Sequence, residues 1–142
     1  MNGRFFLDTN IFVYAIDRSD PLKLRRSTLL IRDAIGTRKG VISYQVVQEF
    51  FQVALKRFSQ PMTPADGEQY LATVLSPLLA IHSSEELYLG GLRLQARYRL
   101  SWCDALIVQA ARQAQCSILY SEDFQHGQKF DDLQIVNPFL GS

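Results

Sequence analysis

Histidine and cysteine are scarce in this chain, with two of each among 142 residues. The pairs are His82 and His126, and Cys103 and Cys116. That shortage argues against a zinc site built on Cys and His. If both cysteines ride on one helix, 13 residues separate them by about 20 Å. A disulfide needs Cα atoms within about 7 Å, so that reading leaves no bridge. Long apolar runs are missing too. No stretch approaches the roughly 18 residues of a membrane-spanning helix. The N-terminus shows no basic leader followed by an apolar core, so no signal peptide is read, and a cytoplasmic, membrane-free protein is expected. Repeats, low-complexity segments and linker-like runs are absent as well, which leaves one domain over residues 1–142 as the expectation.

What is present is ordinary in total and uneven in place. The apolar fraction is 47% and the charged fraction 20%, as in a globular protein with one sizeable core. The net charge is only +1. Residues 1–62 carry ten Lys and Arg against five Asp and Glu, whereas residues 63–142 carry five against nine. The basic excess is densest from Arg18 to Lys39, which includes Lys23, Arg25, Arg26, Arg32 and Arg38. Such a segment is either a solvated helix face or a surface for phosphates.

Short apolar segments alternate with helical ones. Residues 4–7 read as a buried strand. Residues 10–17 read as a helix capped by Asn10, although their β-branched run also suits a strand. A helix follows over 21–35 with Pro21 in its first turn. A strand at 40–43 leads into a helix over 44–58. Thr63-Pro64 opens another helix. Residues 78–82 suit a strand, Ser84 and Ser101 each begin a helix, and 117–120 and 133–136 are strands. Strands separated by helices imply a three-layer α/β/α fold with a mostly parallel sheet of four to five short strands. Ligands in such folds bind beyond the carboxyl ends of the strands.

Carboxylates gather at that edge. Asp8 ends the first strand. Ser121, Glu122 and Asp123 end the strand at 117–120. Glu49 lies less than two turns into the helix after the second strand, and Asp104 lies in the first turn of the helix capped by Ser101. Each also has a structural explanation: Asp8 and Asp104 as caps, Asp123 as a turn residue, Glu122 as a solvent-exposed acid, Glu49 as part of a polar stripe with Gln45, Gln48 and Gln52. Together, four acids on one rim repel one another and raise each other's pKa values. A hard divalent cation relieves this, and oxygen donors without histidine suit Mg²⁺ or Mn²⁺.

The segments "FLDTN", "VVQEF", "SWCDALI" and "LYSEDF" resemble, in order and at typical spacing, the four acidic motifs of the PIN domain, and in particular the bacterial VapC-type toxins. The resemblance spans nearly the whole chain. It implies a PIN-like fold and a metal-dependent, single-strand-specific endoribonuclease. Asp8, Glu49, Asp104 and Asp123 match the metal-binding, catalytic acids, with Asp8 and Asp104 holding the metal most directly. Ser121 matches the hydroxyl that supports the fourth acid. Thr9 and Asn10 match the polar residues shaping the loop after the first. Cys103 belongs to no family signature and is read as packing. An inhibitory antitoxin that covers the acidic pocket is implied, as is a homodimer. An acidic pocket repels RNA, so Arg18, Lys23, Arg25 and Arg26 are expected to form a basic rim around it. Two alternatives compete: a non-catalytic RNA-binding or adaptor module on the same scaffold, and a receiver-like phosphotransfer domain with Asp8 as acceptor. The second leaves Glu49, Asp104 and Asp123 without a role, and the first strand carries no D-x-D.

Overall fold

The computed structural model describes residues 3–140. A six-stranded sheet forms its middle layer, in the order β3-β2-β1-β4-β6-β5. Strand β1 (Phe5–Leu7) is buried along its whole length and pairs in parallel with β2 (Gly40–Ser43) on one side and β4 (Ile118–Tyr120) on the other. Its Phe-Phe-Leu sequence suits such a site, because a central parallel strand with helices on both faces has no solvent side. Strand β3 (Leu79–Ile81) extends the sheet beyond β2, and β6 (Leu133–Val136) extends it beyond β4, both in parallel. The two-residue β5 (Lys129–Phe130) closes that edge antiparallel to β6. This short strand takes the count from the expected four or five to six.

The chain thus builds the sheet outward from β1 in one direction and then, starting at β4, in the other. The reversal falls between β1 and β4, where a crevice opens at the strand ends. Leu7 stands opposite Tyr120 in register. The residues that follow, Asp8 and Ser121, therefore leave the sheet side by side, and Asp8 N–H donates to Tyr120 O at 3.1 Å.

Helix α1 (Thr9–Ile16) begins immediately after β1. Its cap is Asp8, not Asn10: the Asp8 carboxylate accepts from Thr9 N–H, and Asp8 O accepts from Ile11 N–H. Helix α2 (Pro21–Thr37) is capped by Asp20, which accepts from the N–H groups of Leu22 and Lys23. It returns to β2 so closely that a Cβ on Gly40 would lie 2.1 Å from Ala34 Cβ and 2.7 Å from Ala34 Cα. Only glycine lets this helix and strand meet.

Helix α3 (Tyr44–Ala54) stops four residues short of the expected Phe58. Arg57 N–H donates to Val53 O, and Met62 N–H donates to Ala54 O, which folds the chain back into a turn. Thr63 caps α4 (Pro64–Tyr70) as its sequence predicts, accepting from Asp66 N–H. A π-helical turn (Leu71–Leu75) and the single turn α5 (Ser76–Leu78) lead to β3. Ser84 and Ser101 cap α6 (Glu85–Arg97) and α7 (Trp102–Gln113) through Leu87 N–H and Asp104 N–H. The core joins Phe6, Leu7, Ile42, Leu119 and Ile135 of the sheet to Phe12, Phe50, Leu87 and Val108 of the helices, all fully buried. Cys103 lies exposed on α7 and Cys116 buried beyond its end, both as free thiols. No described helix is long and apolar enough to cross a membrane.

Candidate active site

Asp8, Glu49, Asp104 and Asp123 line one pocket of about 280 Å³ at the carboxyl edge of the sheet. Three local rules bring them there. Asp8 and Asp123 follow adjacent parallel strands in register. Glu49 sits on the helix that continues β2. Asp104 occupies the first turn of α7, whose N-terminus points at the same crevice.

Asp8 is the deepest of the four and only 6% exposed. Its Oδ1 accepts from Thr9 N–H at 2.8 Å, and its Oδ2 accepts from the Ser121 hydroxyl at 2.7 Å. Burial pushes its pKa up from 3.8 to about 7. Ser121 and Thr9 pull the other way, and the charges of Asp123 and Glu49 add a smaller upward push. Asp123, although largely exposed, is also raised, chiefly by partial desolvation, with Glu122, Asp104 and Glu49 contributing repulsion. Mutual repulsion among the acids is thus real but second to desolvation.

Ser121 does more than its motif position implies. Its buried hydroxyl donates to the Asp8 carboxylate while accepting from Asp123 N–H at 3.1 Å. One oxygen therefore fixes the first acid by its carboxylate and the fourth by its backbone. Thr9 likewise reaches across the pocket: its hydroxyl donates to Glu49 Oε1 at 2.7 Å.

Part of the polar stripe of α3 faces the pocket, while Gln48 stands exposed outside it. Gln45, Glu49 and Gln52 all line it, at the i, i+4 and i+7 spacing of one helix face. Gln45 is buried, and its amide donates to Cys103 O at 3.1 Å, which ties α3 to the start of α7. Glu49 thus belongs to the polar stripe and lines the pocket at the same time.

Glu122 is not solvent-exposed. It accepts from Asn10 Nδ2 at 3.4 Å, from Lys23 Nζ at 3.0 Å and from the Tyr14 hydroxyl. Lys23 lies over the Tyr14 ring, 4.5 Å from its centroid. Asn10 and Lys23 therefore brace the loop after β4 from α1 and α2. Arg26 donates to Pro138 O and Leu140 O, both at 2.9 Å. Arg25 is exposed and lines neither the acidic pocket nor the cleft beside it. Arg18 lines that neighbouring cleft with Ile16, Phe58 and Gln60. The cation on the acidic pocket itself is Arg57, which sequence reasoning missed because it placed the residue inside a helix.

Among the described residues, no three His, Cys, Asp or Glu side chains are gathered tightly enough to cage an ion by themselves. A wide pocket with separated carboxylates suits a cation that keeps several of its waters and takes one or two carboxylates, as Mg²⁺ does. Asp8 strengthens the fit. It is a buried carboxylate beside two other acids, with no cationic side chain bonded to it, so its ionised form lacks charge compensation.

Solved structures with the same fold include a toxin–antitoxin complex from Klebsiella pneumoniae, with a TM-score of 0.64 at 20% identity, covering 94% of this chain and 97% of that one. FitAcB from Neisseria gonorrhoeae superposes with a TM-score of 0.66 at 15% identity, covering 96% and 99%. VapC20 of Mycobacterium tuberculosis, described as a sarcin-ricin loop cleaving toxin, gives 0.57 at 17% identity, covering 84% and 89%. No curated protein sequence matches this chain. The PIN domain family model matches residues 5–130, which contain all four pocket acids, and the chain accordingly belongs to the PIN-domain family.

Proposed function

We propose that this protein is a metal-dependent endoribonuclease, the toxin of a toxin–antitoxin pair. The observation that carries the proposal is the pocket at the β1–β4 crevice, where Asp8, Glu49, Asp104 and Asp123 converge in a PIN-domain chain. In this reading Asp8 and Asp104 hold Mg²⁺ or Mn²⁺, and Glu49 and Asp123 complete the site through water or a second ion. A cation bound there supplies Lewis-acid charge for the phosphoryl oxygens and for activating water.

The chain's own groups do the rest. Thr9 and Ser121 hold Glu49 and Asp8 in fixed rotamers, so the donors are arranged before an ion arrives. Asp8 presents an anion only after losing a proton that its buried setting retains up to about pH 7. A cation held by Asp8 would compete with that proton, so its affinity would rise with pH across neutrality. The Lys23–Glu122–Tyr14 cluster anchors the loop carrying Asp123.

The toxin–antitoxin complex and FitAcB among the structural neighbours support an inhibitory antitoxin as partner. Exposed leucines on α6, Leu89 and Leu92, offer apolar surface for that partner or for a homodimer.

Metal removal tests the activity directly. Protein stripped with a chelator is expected to leave a fluorescent single-stranded RNA intact, and added Mg²⁺ or Mn²⁺ to restore cleavage. Cleavage that persists unchanged in excess chelator contradicts the proposal.

A further inference from the structure

A strongly acidic pocket cannot hold a polyanion without cations beside it. Of the four basic residues expected to supply them, Lys23 is paired with Glu122 and Arg26 is bound to carbonyls near the C-terminus. Arg57 remains. It lines the acidic pocket, is exposed, and its guanidinium forms no ion pair among the described residues.

The turn that carries it is fixed. Arg57 N–H donates to Val53 O at 2.7 Å, and Met62 N–H closes the loop onto Ala54 O at 2.8 Å. The next residue, Phe58, packs edge-on against Phe50 with ring centroids 6.4 Å apart. Phe58 also lines a second cleft of about 520 Å³, together with Arg18, its neighbour Asp17 and Gln60. Consecutive residues have Cα atoms about 3.8 Å apart, so a residue lining the acidic pocket adjoins one lining the second cleft. Arg18 is exposed and likewise unpaired among the described residues.

We infer that this is the path of the RNA strand: the backbone leaves the acidic pocket over Arg57 and continues into the Arg18–Phe58 cleft, each arginine taking one phosphate. The inference rests on the nuclease reading and adds to it Arg57 as a substrate-binding residue and a path that joins it to Arg18. Arginine suits the role, since its planar fork matches two phosphate oxygens at once.

The test uses the full chain with Mn²⁺ and a mixed-sequence single-stranded oligoribonucleotide carrying a fluorophore and quencher. Arg57→Gln is expected to raise KM about tenfold with kcat within about twofold, as loss of uniform binding does. It should also flatten the slope of log KM against log salt by about 0.7, the share of one phosphate contact on a single strand. Arg18→Gln should act in the same direction, and Arg57→Lys should recover most of the slope. KM and salt slope at parental values in Arg57→Gln, while the parent cuts, overturn the path and leave the nuclease reading standing. Loss of Mn²⁺ affinity in Arg57→Gln also overturns it, by making the residue a support of the metal pocket. A parent that neither binds nor cuts the RNA overturns both.

Discussion

Asp104→Asn is expected to cut RNA at least about 10²- to 10³-fold more slowly than the parent, the scale of losing one well-placed electrostatic group from a catalytic pocket. The substitution is nearly isosteric, and the backbone of residue 104 keeps its bond to the Ser101 hydroxyl. An acid in the first turn of a helix contributes about 0.3–1 kcal/mol through the helix dipole, so the fold should survive with little change. Activity and stability therefore separate at this position. Circular dichroism and urea unfolding should match the parent within about 1 kcal/mol while cleavage is lost. An Asp104→Asn protein that cuts RNA at the parental rate removes Asp104 from the machinery.

Asp8→Asn should stabilise the metal-free protein at pH 8. The folded state raises the Asp8 pKa from 3.8 to about 7, so the group favours folding only while protonated. That contribution is complete below about pH 4 and is lost as pH rises through about 7. A shift of roughly three pKa units corresponds to about 4 kcal/mol between the two protonation states. The parent should thus lose stability from about pH 4 to about pH 7 through Asp8, and the neutral Asn variant should be spared that loss while keeping the one that Asp123 contributes. Asn remains a good helix cap, and its amide can meet both Thr9 N–H and the Ser121 hydroxyl. In urea with chelator, the gain should be near zero at pH 4 and approach about 4 kcal/mol at pH 8. Asp123 pushes in the same direction. A destabilised Asp8→Asn protein at pH 8 contradicts this electrostatic picture. Such a cost at one carboxylate is what the proposed metal-binding role would entail, since a bound cation would compensate the same charge.

Much of this architecture was legible because its causes are local. The strands at 40–43 and 133–136 and the caps at Thr63, Ser84 and Ser101 follow from apolar runs and hydroxyl residues at the right places. The convergence of Asp8 and Asp123 follows from two apolar strands that each end in acid. The misreadings have distant causes. Glu122 looks solvated in sequence, yet its partners Lys23 and Tyr14 stand 99 and 108 positions away. Helix α3 ends at Ala54 although no glycine or proline follows until Pro61, because the Met62 backbone bonds back to Ala54. That tertiary stop hid Arg57. Asn10 and Asp8 both suit a cap, and the choice fell to Asp8 because α1 already begins at Thr9, whose N–H the Asp8 carboxylate accepts. The π-helical turn at 71–75 and the two-residue β5 leave no periodic signal at all.

The central claim is that Asp8 and its neighbours share a divalent cation, and titration calorimetry with Mn²⁺ near pH 7.5 tests it most directly. The parent is expected to bind Mn²⁺ with release of only a fraction of a proton at this pH, where Asp8 is already largely ionised, and Asp8→Asn to bind at least about tenfold more weakly, the effect of removing a ligand or its close support. Equal affinity in the two proteins, or no binding by the parent, contradicts it.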